Sequence, residues 1–73
     1  MDAQELVRRY AAGDRNFAKS KLRGLDLGGV VLAAANLDGA DLRECNLSGA
    51  NLTEGVMRGA RLDQARLERA CLR

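Results

Sequence analysis

The candidate nucleophiles in this sequence are Cys45, Cys71, Ser20 and Ser48. A thiol or hydroxyl attacks only when a base takes its proton or nearby positive charge lowers its pKa. The chain contains no His, so the commonest general base and a common zinc ligand are missing. Cys45 and Cys71 have no CxxC spacing, and two cysteines are too few for a disulfide framework. They read as reduced thiols. Arg69 or Arg73 could lower the Cys71 pKa slightly, which leaves a narrow opening for thiol chemistry. The Asp and Glu residues are scattered and make no convincing acid/base pair. The residues call for no catalytic site, no cofactor and no metal, and the expectation is a non-enzymatic protein.

What would position these side chains is a repeat. The chain has 73 residues, enough for one small domain. A large apolar residue returns at every fifth position: Phe17, Leu22, Leu27, Leu32, Leu37, Leu42, Leu47, Leu52, Met57, Leu62, Leu67 and Leu72. Two residues before each centre stands a small or apolar residue from Ser20 onward, through Leu25, Val30, Ala35, Ala40 and Cys45 to Ala70. Arg15 alone breaks that rule. Between the two sits mostly a polar residue, such as Asn36, Asp41, Asn46 or Asn51.

A helix repeats every 3.6 residues and a strand every 2, so a period of five fits neither. Residues two apart on an extended segment point the same way. Each pentad thus turns one large and one small group inward and a polar group outward. Two further residues must turn the chain, and the second is often Gly, at 24, 29, 39, 49 and 59. Glycine supplies the positive φ of a type II turn. Ala34, Glu44, Glu54, Gln64 and Arg69 occupy the other corners, so those are expected to use another turn type or to store strain. Four such corners close a coil of about twenty residues, and stacked coils share backbone hydrogen bonds at about 4.8 Å spacing. On this reading Cys45 is an inward core filler and Cys71 points outward.

The stretch "ANLDG ADLRE CNLSG ANLTE" resembles the pentapeptide repeat family, whose pattern is A(D/N)LXX, and the likeness covers residues 15–73. The stretch before it resembles the start of family members from photosynthetic bacteria. The resemblance implies an all-β solenoid, a right-handed quadrilateral β-helix of about three coils. We number them coil 1 (15–34), coil 2 (35–54) and coil 3 (55–73). Many family members have no assigned function, so the resemblance also leaves a spacer or a piece of a longer repeat protein open. Some members mimic duplex DNA and act on gyrase. Those are long and strongly acidic, whereas this chain carries +2.

Residues 1–14 read as a cap on that solenoid. Asp2 is a good N-cap with Glu5 at capping-box spacing. Ala3, Leu6, Val7, Tyr10 and Ala11 fall on one helix face, and Gly13 is a C′ residue. The spacing predicts a helix over about 3–12, lying across coil 1.

Stacking predicts neighbours twenty residues apart: Phe17 with Leu37 and Met57, Asp38 with Arg58, Arg43 with Asp63, and a Lys21–Asp41–Arg61 ladder. Charge is layered. In coil 1 Arg15, Lys19, Lys21 and Arg23 outweigh Asp26. In coil 2 Asp38, Asp41, Glu44 and Glu54 outweigh Arg43, and in coil 3 five arginines outweigh Asp63 and Glu68. The arginines of coil 3 raise nucleic acid as a partner, but an interleaved acidic coil and the absence of aromatic stacking platforms make it disfavoured.

A solenoid needs its ends covered. Met57, Leu62, Leu67 and Leu72 would face water beneath coil 3, beside an unpaired β edge. The preferred expectation is a homodimer through the C-terminal coil; a longer solenoid or a frayed end would also account for it. Val31, Asn51, Val56 and Cys71 are a candidate side-wall contact for a protein partner. Nothing resembles a signal peptide or a membrane span, so a cytoplasmic protein with no membrane contact is expected.

Overall fold

The computed structural model describes residues 1–73. Its first element is the helix α1 (Ala3–Ala11). The Asp2 carboxylate accepts from the N–H of Glu5 at 2.8 Å, which satisfies one of the free donors of the first turn. At the other end Gly13 has φ +102, and the N–H groups of Gly13 and Asp14 donate back to Tyr10 and Arg9 at 3.0 Å each. That is a Schellman stop, and it turns the chain into the solenoid. The contact face is narrower than the sequence pattern suggests. Leu6 is fully buried and Ala3 and Tyr10 are partly buried, but Val7 is 47 % exposed and Ala11 is exposed. A helix lying on one coil makes contact along a single stripe, here positions i, i+3 and i+7.

Residues 16–71 form a β-helix-type solenoid. Parallel bridges join residues twenty apart: Asn16 to Asn36, Lys21 to Asp41, Asp26 to Asn46 and Val31 to Asn51, each continued into coil 3. Every side therefore has one strand-like position, and four sides make one turn of the coil. The inward residues of coils 1 and 2 form one core. Phe17, Leu22, Leu27, Leu32, Leu37, Leu42, Leu47 and Leu52 are all buried, with Ala35, Ala40, Cys45 and Ala50 filling the gaps. Leu25 and Val30, large where coil 2 has Cys and Ala, pack against that core partly buried. No helix is long and apolar enough to cross a membrane.

All the corners use one conformation. Each closes with a backbone hydrogen bond from residue i+3 to i, such as Cys45 N–H to Leu42 O at 3.2 Å. Within the solenoid, positive φ occurs only at the second corner residue, as a type II turn requires. The glycines there have φ between +67 and +77. Lys19, Ala34, Glu44, Glu54, Gln64 and Arg69 adopt +61 to +64 at the equivalent place. Of the two expectations for the non-glycine corners, another turn type is therefore wrong and strain is right. The reason is the stack: the N–H of each corner residue in coils 1 and 2 donates to the next coil, as from Glu44 to Asp63 O at 2.9 Å. A different turn would aim that donor away.

The polar residue between the two inward groups also closes the corner. Asn36 and Asn51 accept from Asp38 N–H and Thr53 N–H at 3.0 Å each. Asp26, Asp41 and Asn46 do the same for Gly28, Arg43 and Ser48. These are Asx turns, in which a short side chain replaces a missing backbone partner. Arg15 is explained by the cap. Its guanidinium lies 3.6 Å over the ring of Tyr10 and donates to Tyr10 O at 2.9 Å. The hydroxyl of Tyr10 in turn donates to Ala33 O at 2.8 Å, occupying a carbonyl on the upper face of coil 1.

Candidate docking face at the third coil

Coil 3 differs from coil 2 in what lies beneath it. In coil 2 the N–H groups of Leu37, Leu42, Leu47 and Leu52 donate downward to coil 3 at 2.7–2.8 Å. The corner N–H groups of Gly39, Glu44, Gly49 and Glu54 do likewise, and the carbonyls of Ala35, Ala40, Cys45 and Ala50 accept from coil 3. The same atoms of coil 3 have no backbone partner. They are the N–H groups of Met57, Gly59, Leu62, Gln64, Leu67, Arg69 and Leu72 and the carbonyls of Gly55, Ala60, Ala65 and Ala70. Donors thus outnumber acceptors on this edge, seven to four.

The same edge surrounds apolar side chains. Met57, Leu62 and Leu67 pack on the core only partly buried, and Leu72 is 52 % exposed. Their counterparts in coil 2 are covered. The whole chain spans 29 × 22 × 21 Å. Nothing within residues 1–73 covers this end of coil 3.

Coil 3 also lacks the Asx closures of coil 2. Val56, Arg61, Arg66 and Cys71 occupy the positions where coil 2 has Asn36, Asp41, Asn46 and Asn51. Asp38 compensates once: it accepts from the N–H of Arg58 at 2.8 Å and from its guanidinium at 2.7 Å. Hydrogen bonding to the Arg58 side chain holds the Asp38 carboxyl below its usual value. Ser48 donates to Glu68 at 2.8 Å and lowers that carboxyl in the same way. Within coil 3, Arg61 lies 3.7 Å from Asp63 and Arg66 3.5 Å from Glu68. Arg69 and Arg73 have no acidic partner.

The expected Asp38–Arg58 pair is present. Arg43 and Asp63 do not pair: Arg43 turns to Asp41 of its own coil at 2.6 Å. The half-buried guanidinium takes the nearest carboxylate, and here that is two residues away. An ion pair between coils 1 and 2 is Arg23 to Glu44 at 3.3 Å.

The side-wall candidates do not form one patch. Val31, Asn51 and Cys71 are bridged in one ladder, with Val31 53 % exposed. Val56 belongs to the neighbouring side, under Asn36. Cys71 is exposed and its Sγ lies 3.3 Å from Thr53 Oγ1. That hydrogen bond, with the nearby Arg73, lowers the thiol pKa. Cys45 is buried with its Sγ 2.7 Å from Leu22 O, and desolvation raises its pKa. No cluster of three metal-binding side chains occurs. A shallow hollow of about 450 Å³ lies on α1 beside Ala3, Gln4, Val7 and Arg8 and contains no acid/base pair.

The repeat register now has an independent match. The family model for pentapeptide repeats fits residues 16–49 and 40–73. The chain belongs to the pentapeptide repeat family. A solved structure of a pentapeptide repeat protein from Nostoc Pcc 7120 is similar at 28 % identity, with a TM-score of 0.56. The match covers 94 % of this chain and 74 % of that one. No curated protein matches. What sequence reasoning missed in this pentapeptide repeat protein is the donor edge at Gly59, Gln64 and Arg69. The signal was available: corner residues recur every fifth position, and each must donate to something below.

Proposed function

We propose that this pentapeptide repeat protein is a non-enzymatic protein-binding or scaffold module of the cytoplasm. Its working surface is the open end of coil 3, which an extended β-coil segment of a second polypeptide covers. One observation carries the reading: seven unpartnered N–H groups and four carbonyls frame Met57, Leu62, Leu67 and Leu72. Unpaired strand edges are templates for pairing with another chain, and exposed apolar surface gains from burial. The right-handed quadrilateral form of the coil is taken from the family.

A homodimer through coil 3 is the second reading. On each side a two-fold copy could exchange N–H and C=O bonds in antiparallel fashion, Leu62 N–H to Ala60 O being the pattern. That arrangement sets two arginine-rich coils against each other. A DNA-mimic role is weaker still, because acidic coil 2 lies between two basic coils.

The test combines molar mass by light scattering over a wide concentration range with binding of an environment-sensitive apolar dye. Wild type, Leu67→Arg and the more exposed Leu72→Arg are compared. The docking reading expects dye binding in the wild type that either substitution removes while circular dichroism is retained. A wild-type dimer split by the substitutions selects the second reading. Monomers with equal dye signals in all three proteins sink both.

A further inference from the structure

We propose that the open end of coil 3 selects an acidic coil of a partner chain, stacked in the same sense as coil 2 on coil 1. This rests on the docking reading above and names the partner's chemistry. The first support is hydrogen-bond polarity. The upper edge of coil 2 presents to coil 1 the N–H groups of Asn36, Asp41, Asn46 and Asn51. It also presents the carbonyls of those residues and of Asp38, Arg43, Ser48 and Thr53. Such an edge has four donors and eight acceptors. Coil 3 offers below it seven donors and four acceptors, so a parallel coil leaves none of its groups unpaired. A two-fold copy repeats the donor excess. The corner N–H groups of Gly59, Gln64 and Arg69 on both copies would then lack a backbone acceptor, and an unpaired buried donor is costly.

The second support is charge. Coils 1 and 3 are basic and the coil between them is acidic, and the contacts use that order. Arg23 reaches Glu44, and Arg58 reaches Asp38. Arg69 and Arg73 remain without acidic partners on the open edge, and Arg61 and Arg66 hold theirs at 3.7 and 3.5 Å. A covering coil with carboxylates at its outward and corner positions would pair with these guanidiniums. A basic one would be repelled, which is how charge complementarity sets partner choice.

The probe is a labelled, end-capped peptide with the sequence of residues 35–54, whose acids outnumber its single Arg43. Its control has the same apolar residues with every charge reversed. Fluorescence anisotropy against the whole protein is expected to give binding roughly tenfold tighter for the acidic peptide at low salt. Leu72→Arg should remove it. A second experiment appends each segment, after one corner residue, to Arg73, so that ordering does not compete with association. The acidic extension should raise Tm by more than about 5 °C and the reversed one by clearly less. Equal effects of the two segments overturn acidic selection and leave docking intact. A gain in the extended chain with no peptide binding overturns a separate partner in favour of a continued coil. No gain from either segment in either format overturns the docking reading as well.

Discussion

The amide of Asn46 donates to the carboxylate of Asp26 at 3.0 Å in the coil above, while its own oxygen accepts from Ser48 N–H at 3.0 Å. The side chain therefore closes its own corner and ties two coils together. Sequence pattern alone makes it an outward polar residue of no consequence. Asn46→Asp keeps the corner bond but replaces the donor with a second carboxylate. The expected result is a melting midpoint several degrees lower at neutral pH, with the deficit shrinking as acid protonates carboxyls. Thermal unfolding at both pH values measures it. An unchanged midpoint would remove the coil-to-coil role.

Tyr10 and Arg15 make the cap's corresponding test. Tyr10→Phe removes only the hydroxyl that donates to Ala33 O at 2.8 Å, a partly buried bond whose loss should cost about 1 kcal/mol. Denaturant unfolding with an unchanged m-value would register this as a midpoint shift. A change in m instead would mean that α1 detaches before the solenoid unfolds.

The coil register was readable in the residues because one local rule repeats: an apolar centre, a small partner, a polar residue and a corner. Each pentad repeats the same physical requirement, and Phe17 through Leu52 are buried as that rule demands. Met57, Leu62, Leu67 and Leu72 continue the rule in coil 3, where the first three are partly buried and Leu72 is exposed. Three things escaped it. Arg15 looks like an error until Tyr10 is placed over it. The partner of Arg43 was decided by side-chain reach rather than by register. The choice between another turn type and strain at the non-glycine corners is decided by the coil below, whose carbonyls fix the turn, and a single pentad does not contain that information.

Those corners give a paired prediction. Gly49 has φ +71, and an added Cβ would meet only Gly29 backbone atoms at 3.9 Å, an ordinary contact. Gly49→Ala therefore isolates the cost of positive φ and should destabilise by about 1 kcal/mol. Gln64 already sits at φ +62, so Gln64→Gly relieves that cost. Its gain should be smaller, because glycine also loosens the unfolded chain. Calorimetric midpoints moving the same way in both variants would contradict a shared turn.

Acid should destabilise coil 2 and its contact with coil 3. Bidentate hydrogen bonds from Arg43, at 2.6 and 2.8 Å, hold the Asp41 carboxyl far below its usual 3.8, and Arg58 lowers Asp38. A carboxyl with a depressed folded-state pKa contributes stability in full above its unfolded value and loses it as pH falls toward the folded value. Midpoints should therefore be flat above about pH 5 and fall as pH drops through the carboxylate range. Asp41→Asn should flatten that fall and lower the plateau. Both carboxylates are solvent-accessible, so the change is modest, and moderate salt should diminish it. An acid limb of the same steepness in Asp41→Asn would assign the loss to other groups.

Core substitutions should be graded by coil, because only coils 1 and 2 are covered on both faces. Leu47 is 1 % exposed in the middle layer, and Leu47→Ala should cost about 3 kcal/mol, combining lost burial with a residual cavity. Leu67 makes the same pentad centre one layer down but is only partly buried, so Leu67→Ala should cost clearly less, and Leu72→Ala should be close to neutral. Leu47→Asp should abolish cooperative unfolding altogether, since a carboxylate in the central stack has no partner. Denaturant titrations of the three alanine variants at low protein concentration read the gradient directly. Equal costs at Leu47 and Leu67 would mean that coil 3 is already covered in solution. Repeating the titrations at high concentration would then show whether a second copy supplies the cover.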